Sequence, residues 1–254
     1  MPASFTHQSF GNDVLERGGF EDLRPYKVFF DLGCQGPDLL FYFHPTKKNP
    51  INQKGNRMHH TKARGFFEES LNVIKQREDR EMLAYICGFS CHYMLDHICH
   101  PYINRIVKEK HFGHFAIERD LDQAMIQKVQ PKHDSVARDF QNDQAIREKI
   151  GYLLGVEDQV IGECIESFQL LNRLIYNDHA MIRYGLLALM KLAHVGSFSD
   201  MILKKPDPKM KDDIDHLLDL YDGGVEKGVS IVKNVLDVYQ GHEVLNSFFD
   251  YDYE

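Results

Sequence analysis

The sequence predicts an all-α fold, and three observations support that class. Apolar residues recur at helical spacing along most of the chain, and no sustained alternation of polar and apolar residues indicates a strand. Hydrophobic residues make up 43% of the composition and charged residues 27%, which is typical of a soluble globular protein. A length of 254 residues is compatible with one helical core. We therefore predict a single multi-helix domain over residues 1–254.

The start of the chain predicts short elements separated by turns. A short helix is expected over residues 12–17, and Gly18-Gly19 should end it. A brief apolar segment follows at 27–32, and the sequence GCQGPDLLFYFHP at 33–45 is rich in turn formers. The aromatic residues 41–43 in this stretch could line a substrate pocket, but we expect them to lie in the core. The polar residues 47–57 predict a loop.

The remainder of the chain predicts longer helices. Two are expected at about 59–77 and 79–100, with Pro101 either ending the second or opening the next segment. Gly223-Gly224 predicts a hinge between two late helices, and residues 204–208 (KKPDP) predict a connector. The other helices are predicted near 102–110, 113–129, 139–154, 157–176, 178–194, 209–221 and 224–240.

Charge and composition exclude several classes of function. A net charge of −8 argues against a large phosphate-tracking surface, so we expect no bulk nucleic-acid partner. No apolar run approaches the roughly 20 residues that span a bilayer, and the N-terminal residues lack the pattern of a signal peptide. The five cysteines form no dense disulfide framework, which favours a cytoplasmic location. The sequence does not indicate an oligomeric state.

Residues 92–103, HYMLDHICHPYI, place ionisable side chains in an apolar helical segment. On a helix, His92, Asp96 and His100 form one narrow stripe, because residues four apart lie almost above one another, whereas His97 points elsewhere. His114 and Glu118 have the same spacing further on. Two imidazoles and a carboxylate on one stripe predict either a divalent metal site or a buried histidine pair that shares hydrogen bonds with the aspartate.

The co-occurrence of several such pairs favours the metal site. Of the 14 histidines, nine precede residue 115, including His7 and the pair His59-His60, and Asp38 lies in a Gly-Pro turn. Neutral imidazole and carboxylate suit Zn²⁺, and three protein ligands per ion leave a position for water. Metal-activated water and a pair of metals suit the hydrolysis of a phosphoester. Helical bundles build such sites from inward-facing side chains.

Five short motifs occur in an order that resembles the zinc-dependent phospholipase C family, which is related to the single-strand-specific P1-type nucleases. The resemblance covers about the first 125 residues, and it implies an all-α fold of the phospholipase C/P1 nuclease type with a trinuclear zinc cluster that hydrolyses phosphodiesters. The motifs are TH at Thr6-His7, GCQGPD at Gly33–Asp38, MH at Met58-His59, HYMLDHICHP at His92–Pro101 and HFAIE at His114–Glu118.

The resemblance also implies which residues hold the zinc ions, and it places the metal site mainly in residues 1–125. Asp38 and Asp96 are the implied catalytic carboxylates, and Asp96 would bridge the first zinc to the third. Carried over by position, Asp38, His59, His92 and Asp96 would surround the first zinc, His100, His114 and Glu118 the second, and His7 would help to hold the third.

Three departures from the family pattern leave alternatives open. Secreted members bind the third zinc through an N-terminal tryptophan, but this sequence has no tryptophan, so we expect two or three zinc ions. Those members place a histidine six residues after the bridging aspartate, where this chain has Tyr102, and we expect His100 to replace it. The polar residues 47–57 lengthen the spacing from Asp38 to His59, so that His60 could stand in for His59.

The sequence therefore predicts a zinc-dependent phosphoesterase that acts on a lipid headgroup or a small soluble phosphoester through metal-activated water. The main alternative is a catalytically weak or inactive scaffold that zinc stabilises. The dipeptide His133-Asp134 suggests an HD-type phosphohydrolase, but no apolar helical pattern surrounds it. Three residues keep simpler structural interpretations: Asp38 as a turn residue, His100 as a helix C-cap, and Glu118 as a solvated surface charge.

Overall fold

The structure, a computed structural model, describes residues 4–130, 140–176 and 206–253. Every regular element in these residues is helical, which confirms the all-α class. None of the helices described is long and apolar enough to cross a membrane. The single-domain organisation stays a prediction. The nine described α-helices are α1 (Ser4–Gly18), α2 (Lys27–Gly33), α3 (Pro50–His59), α4 (Arg64–Arg77), α5 (Arg80–Lys110), α6 (His114–Val129), α7 (Gln144–Leu154), α8 (Asp158–Ile175) and α9 (Lys211–Gln240).

Helix α5 is the central element of the fold, and it packs against α1, α2, α4 and α9. The Asp79 side chain caps its N-terminus by accepting hydrogen bonds from the backbone N–H groups of Glu81 and Met82. Every residue from Met82 to Asp96 is buried, so the helix is enclosed on all sides over four turns. His92 and Asp96 therefore lie inside the core rather than on its surface.

Helix α5 also corrects the prediction of a boundary at Pro101. The helix continues through Pro101 to Lys110, where His111 adopts a left-handed conformation with φ of 57° and ends it. A proline in a helix removes one backbone hydrogen bond, but packing on both sides of it keeps the axis continuous. His100 therefore lies ten residues before the end of the helix, which excludes its interpretation as a C-cap.

The segment at 47–57, predicted as a loop, contains helix α3. Asn49 adopts an extended conformation and its side chain accepts hydrogen bonds from the N–H groups of Ile51 and Asn52, while Pro50 occupies the first helical position. Apolar periodicity does not indicate this helix, because its only buried residues are Gly55 and His59. The C-terminal turn of α3 places His59 in the interior.

Other boundaries differ in ways that packing explains. Helix α1 begins at Ser4 rather than at residue 12, and most of its residues up to Leu15 are buried. Helix α9 runs through the predicted hinge at Gly223-Gly224, since buried residues on either side hold it against α1 and α5. The predicted helix at 113–129 agrees closely with α6, whereas the segment at 178–194 and the HD dipeptide lie outside the described residues.

Two glycines allow α2 and α5 to cross with their backbones in contact. A Cβ atom at Gly33 would lie 2.1 Å from the carbonyl oxygen of Tyr85, and one at Gly88 would lie 2.0 Å from that of Phe30. Any side chain at either position would separate the helices. The close crossing brings the 3-10 turn that follows α2, Gly36–Tyr42, against the next turn of α5, which carries His92.

Candidate metal centre

Three groups of ligand-type side chains meet where α1, α3, α5 and α6 converge. In each group, one nitrogen or oxygen atom per residue lies within 4.8 Å of the others, a spacing that a single metal ion would span. All of the residues except the half-buried His114 are buried. We call them group A (Asp38, His59 and His92), group B (His100, His114 and Glu118) and group C (His7, His92 and Asp96).

Asp96 lies at the centre of the three groups. Its Oδ1 is 3.2 Å from Nε2 of His7 and 3.5 Å from Nε2 of His100. Its Oδ2 is 3.0 Å from Nε2 of His92 and 3.7 Å from Nε2 of His59. Each carboxylate oxygen thus faces a different pair of imidazoles, which is the arrangement that a bridging ligand requires.

Group A is assembled from three elements that are distant in sequence. Asp38 lies in the 3-10 turn Gly36–Tyr42, and its Oδ1 is 3.2 Å from Nε2 of His59 at the end of α3. His92 is fully buried on α5 and also belongs to group C, where its ring stacks on that of His7 with centroids 4.1 Å apart. The buried position of Asp38 beside two imidazoles is not explained by a turn-forming role alone.

Group B joins α5 to the first turns of α6. Glu118 Oε1 is 3.0 Å from Nε2 of His114 and 3.6 Å from Nε2 of His100. Glu118 is only 3% exposed, so the interpretation as a solvated surface charge is wrong. Tyr102 lies on another face of α5, where its hydroxyl donates to Asp213 at 2.8 Å, while His100 contributes to the cluster.

Backbone carbonyls orient two of the imidazoles. Nδ1 of His59 lies 2.8 Å from the carbonyl oxygen of Gly55, and Nδ1 of His92 lies 3.3 Å from that of Cys34. A carbonyl can only accept, so each Nδ1 carries a proton, and in the neutral form of either ring the Nε2 lone pair would point into the cluster. Metal-binding histidines are typically oriented by such a bond on the opposite nitrogen.

The buried polar atoms of groups A and C fit a cation better than they fit one another. Nε2 of His92 and Oδ2 of Asp96 are 3.0 Å apart, yet neither atom has a hydrogen-bond partner among the described residues. Two zinc ligands at tetrahedral angles are about 3.4 Å apart, given zinc–ligand distances near 2.1 Å. The contacts of 3.0–3.7 Å around Asp96 bracket that spacing. Leaving buried polar atoms without partners is costly, and a bound cation would remove that cost.

The electrostatics of the cluster favour a cation. Burial raises the pKa of Asp96, but His100, His92 and His7 outweigh burial and hold that pKa well below its usual range. Burial lowers the pKa of His92, so the neutral imidazole is the stable form. Burial also lowers the pKa of His100, but Asp96 and Glu118 overcome that effect and raise it to about 9. The carboxylates therefore hold positive charge at this place even without a metal.

Asp122 holds the N-terminus of α1 so that His7 reaches the cluster. This carboxylate, one turn after Glu118 on α6, accepts hydrogen bonds from the N–H groups of Phe5 and Thr6 at 3.4 and 2.9 Å. Burial raises the pKa of Asp122 to about 6 despite these bonds. Tyr176 at the end of α8 donates to the same carboxylate. From the sequence, Asp122 was interpreted only as a residue that could support the ligands beside Glu118, because its backbone partners Phe5 and Thr6 are more than 100 residues away.

Two other histidines near the cluster belong to none of the three groups found among the described residues. His60, the alternative to His59, is exposed and its Nδ1 lies 2.8 Å from the carbonyl oxygen of Asn56. His97 is half-buried and stacks on Tyr93 with ring centroids 6.0 Å apart, away from Asp96. Of the neighbouring pair His59 and His60, only His59 belongs to one of the three groups found among the described residues, so the geometry favours His59 as the ligand.

A cavity of about 930 Å³ gives access to the cluster. Its floor includes residues of group A and all of group B, whereas His7, His92 and Asp96 lie deeper. Phe41 lines the cavity and stacks on His59 with ring centroids 5.6 Å apart, which corrects its assignment to the core. The remaining lining residues come largely from α3 and from the segment that precedes it.

Comparison with known proteins agrees with this geometry. The family model described as zinc dependent phospholipase C matches residues 6–156, which is more than half of the chain. No curated protein and no solved structure gives a significant match. The matched residues include every member of groups A, B and C. This chain therefore belongs to the zinc-dependent phospholipase C family.

Proposed function

We propose that the protein is a zinc-dependent phosphoesterase that hydrolyses a phosphodiester, either a phospholipid headgroup or a soluble ester. The observation that carries the proposal is that three ligand-type groups lie around Asp96, at and beneath the floor of one open cavity, and that two of them, A and C, share His92. A site that served structure alone would have no need of an opening toward solvent. The cytoplasmic location stays a prediction from the cysteines.

The residues of the cluster fit two or three zinc ions. We propose that group A with Asp96 holds one ion, group B a second and group C a third, with Asp96 bridging the first and the third. Bound zinc would lower the pKa of a water ligand toward about 7 and offset the charge of the phosphoryl oxygens. Three carboxylates among five imidazoles also supply negative charge that suits divalent cations.

Asp38 and Asp96 have different proposed roles because they lie at different depths. Asp38 lines the cavity, so it is the carboxylate that can accept a proton from the attacking water and hold it in line with phosphorus. Asp96 lies beneath the cavity and contacts four imidazoles, so it fixes the ligand positions. His92 belongs to both group A and group C, so its buried imidazole holds the ligands of the two groups at a fixed separation.

The test combines metal analysis with turnover. Untagged protein is analysed for bound metal by mass spectrometry and assayed on a panel of phosphodiesters and phosphomonoesters. We expect stoichiometric zinc and turnover that falls at least about 1,000-fold in His92→Ala and Asp96→Asn. The exposed His242, outside the cavity, provides the control His242→Ala, which should retain both zinc and activity. Bound zinc without turnover on any ester would instead support the scaffold alternative.

A further inference from the structure

Three basic residues line the same cavity as the metal-binding groups. Lys47, Lys48 and Arg57 line it and are all exposed, although the chain as a whole carries a net charge of −8. We propose that the substrate carries a second anionic group in addition to the phosphoryl group that is attacked. We call Lys47, Lys48 and Arg57 the basic rim. The inference rests on the proposed phosphoesterase function and narrows its substrate class.

Inside the cavity, the only carboxylates among the described lining residues, Asp38 and Glu118, belong to the metal-binding groups. Within the described residues, none of the three rim cations forms an ion pair with a carboxylate. Three exposed cations without an ion pair line the same cavity as the metal-binding groups, so they raise the positive potential within it.

The backbone that presents the rim is held by side-chain amides. Asn49 donates from Nδ2 to the carbonyl oxygens of Phe43 and Lys47 at 2.9 and 3.0 Å. Asn52 donates from Nδ2 to the carbonyl oxygens of Leu40 and Phe43 at 2.9 and 2.8 Å. These bonds tie the segment that carries the lysines to the start of α3. A recognition surface on fixed backbone loses less entropy when a ligand binds.

Helix α3 couples the rim to the metal-binding groups. Asn52 and Asn56 of α3 and His60, directly after its end, recur at four-residue spacing and all line the cavity, so one row of side chains faces it. Arg57 stands two residues before His59 of group A. A phosphoryl group held by group A or B would therefore share one cavity with the rim cations, which could contact another part of the same ligand. A quaternary ammonium, as in a choline headgroup, would meet repulsion at that position.

Binding to the zinc-loaded protein tests the inference with two phosphomonoesters of similar size. 3-Phosphoglycerate adds a carboxylate to the phosphate, whereas phosphocholine adds a quaternary ammonium. Isothermal titration calorimetry should show 3-phosphoglycerate binding about tenfold more tightly, as expected for a few partly exposed charge pairs. The difference should shrink to about twofold in the rim variant K47Q/K48Q/R57Q and as salt is raised. The control K75Q/K227Q/K233Q removes three exposed cations outside the cavity and should keep the preference.

The outcomes separate this inference from the proposed function. Equal binding of the two esters by the wild type, or a preference that survives in the rim variant, would overturn the second anionic site while leaving phosphoryl binding intact. If zinc-loaded protein binds neither ester nor inorganic phosphate, the proposed function fails and the inference fails with it. Loss of the preference in the rim variant alone, with inorganic phosphate bound as in the wild type, would support the inference.

A second comparison distinguishes a lipid from a soluble source of the same chemistry. Phosphatidylinositol 4-phosphate in vesicles and its water-soluble deacylated form carry the same headgroup, and each is compared with the counterpart that lacks the 4-phosphate. A rise in kcat/KM with the 4-phosphate only in vesicles would indicate an anionic lipid headgroup. A rise only with the soluble pair would indicate a soluble ester. No rise with either pair would overturn the inference.

Discussion

The replacement of Gly36 by alanine tests whether the position of His92 controls metal binding. Gly36 lies in the turn before Asp38 with φ of +54°. A Cβ atom there would lie 2.2 Å from Cδ2 and 2.4 Å from Cγ of the His92 ring, which is fully buried. Neither the backbone turn nor the enclosed ring has room to absorb the overlap, so the ring must leave its place between groups A and C.

The magnitude follows from two separable effects. A left-handed conformation costs a non-glycine residue roughly 1–2 kcal/mol, and overpacking a core costs about 1–3 kcal/mol more. Displacing His92 removes one of three ligands from both groups that share it. A loss of about 100-fold in zinc affinity at a site that was filled to 100 times its Kd removes about 2.3 kcal/mol of zinc-dependent stabilisation. The zinc-loaded protein should therefore lose more unfolding free energy than the metal-free protein does, by about that amount for each site affected.

Gly19→Ala is the matched control. Gly19 has a similar φ of +61°, but a Cβ atom there would meet nothing within 4 Å. Gly19→Ala should lose only the roughly 1–2 kcal/mol of unfolding free energy that the left-handed backbone conformation costs, and it should bind zinc as the wild type does. Urea unfolding with and without zinc, and zinc titration against a chromophoric chelator, measure both effects. Wild-type zinc affinity in Gly36→Ala, or an equal loss of zinc in Gly19→Ala, would refute the reasoning.

Three further predictions concern residues around the cluster. Asp122→Asn should loosen the start of α1 at Thr6 and weaken zinc binding at group C about tenfold while group B is unchanged, which titration with resolved zinc stoichiometry would detect. His59→Ala should lose zinc at group A, whereas His60→Ala should not. The two histidines form the same local bond, since each Nδ1 lies 2.8 Å from the carbonyl oxygen four residues earlier. Equal losses of zinc in metal analysis of the two variants would contradict this prediction. The pKa of His100 is raised to about 9, so in metal-free protein its proton contributes stability below the unfolded pKa near 6.5, and that contribution is lost as pH rises through about 9. Zinc must displace this proton, so its affinity for group B should rise between pH 7 and 9, and a flat affinity over that range would count against the assignment.

The sequence predicted the content of the candidate site well because helical spacing is local. The four-residue intervals from His92 to Asp96 and from His114 to Glu118 place each pair on one face whatever the fold around them. Those pairs lie 3.0 Å apart in the structure. The preference for His100 over Tyr102 has the same origin, since only the former continues the stripe.

The elements that sequence analysis missed depend on long-range packing or on capping. Pro101 is tolerated in α5 because buried residues before and after it, such as Cys99 and Ile103, hold the helix against its neighbours. Apolar periodicity alone does not predict that packing. Helix α3 has little apolar character, but Asn49 followed by Pro50 was a readable start signal. No local pattern indicated that Asp122 holds the start of α1, because its backbone partners, Phe5 and Thr6, are more than 100 residues away in the sequence.

The most direct measurement of the central claim is zinc-edge anomalous diffraction from crystals of the zinc-loaded protein. The account predicts two or three anomalous peaks, each within about 2.0–2.3 Å of the Nε2 and carboxylate oxygen atoms of group A, B or C. Paired data from His92→Ala crystals should lose the peaks at groups A and C and keep the one at group B. Peaks found only elsewhere on the protein, or none at all, would contradict the claim that these side chains form a zinc cluster.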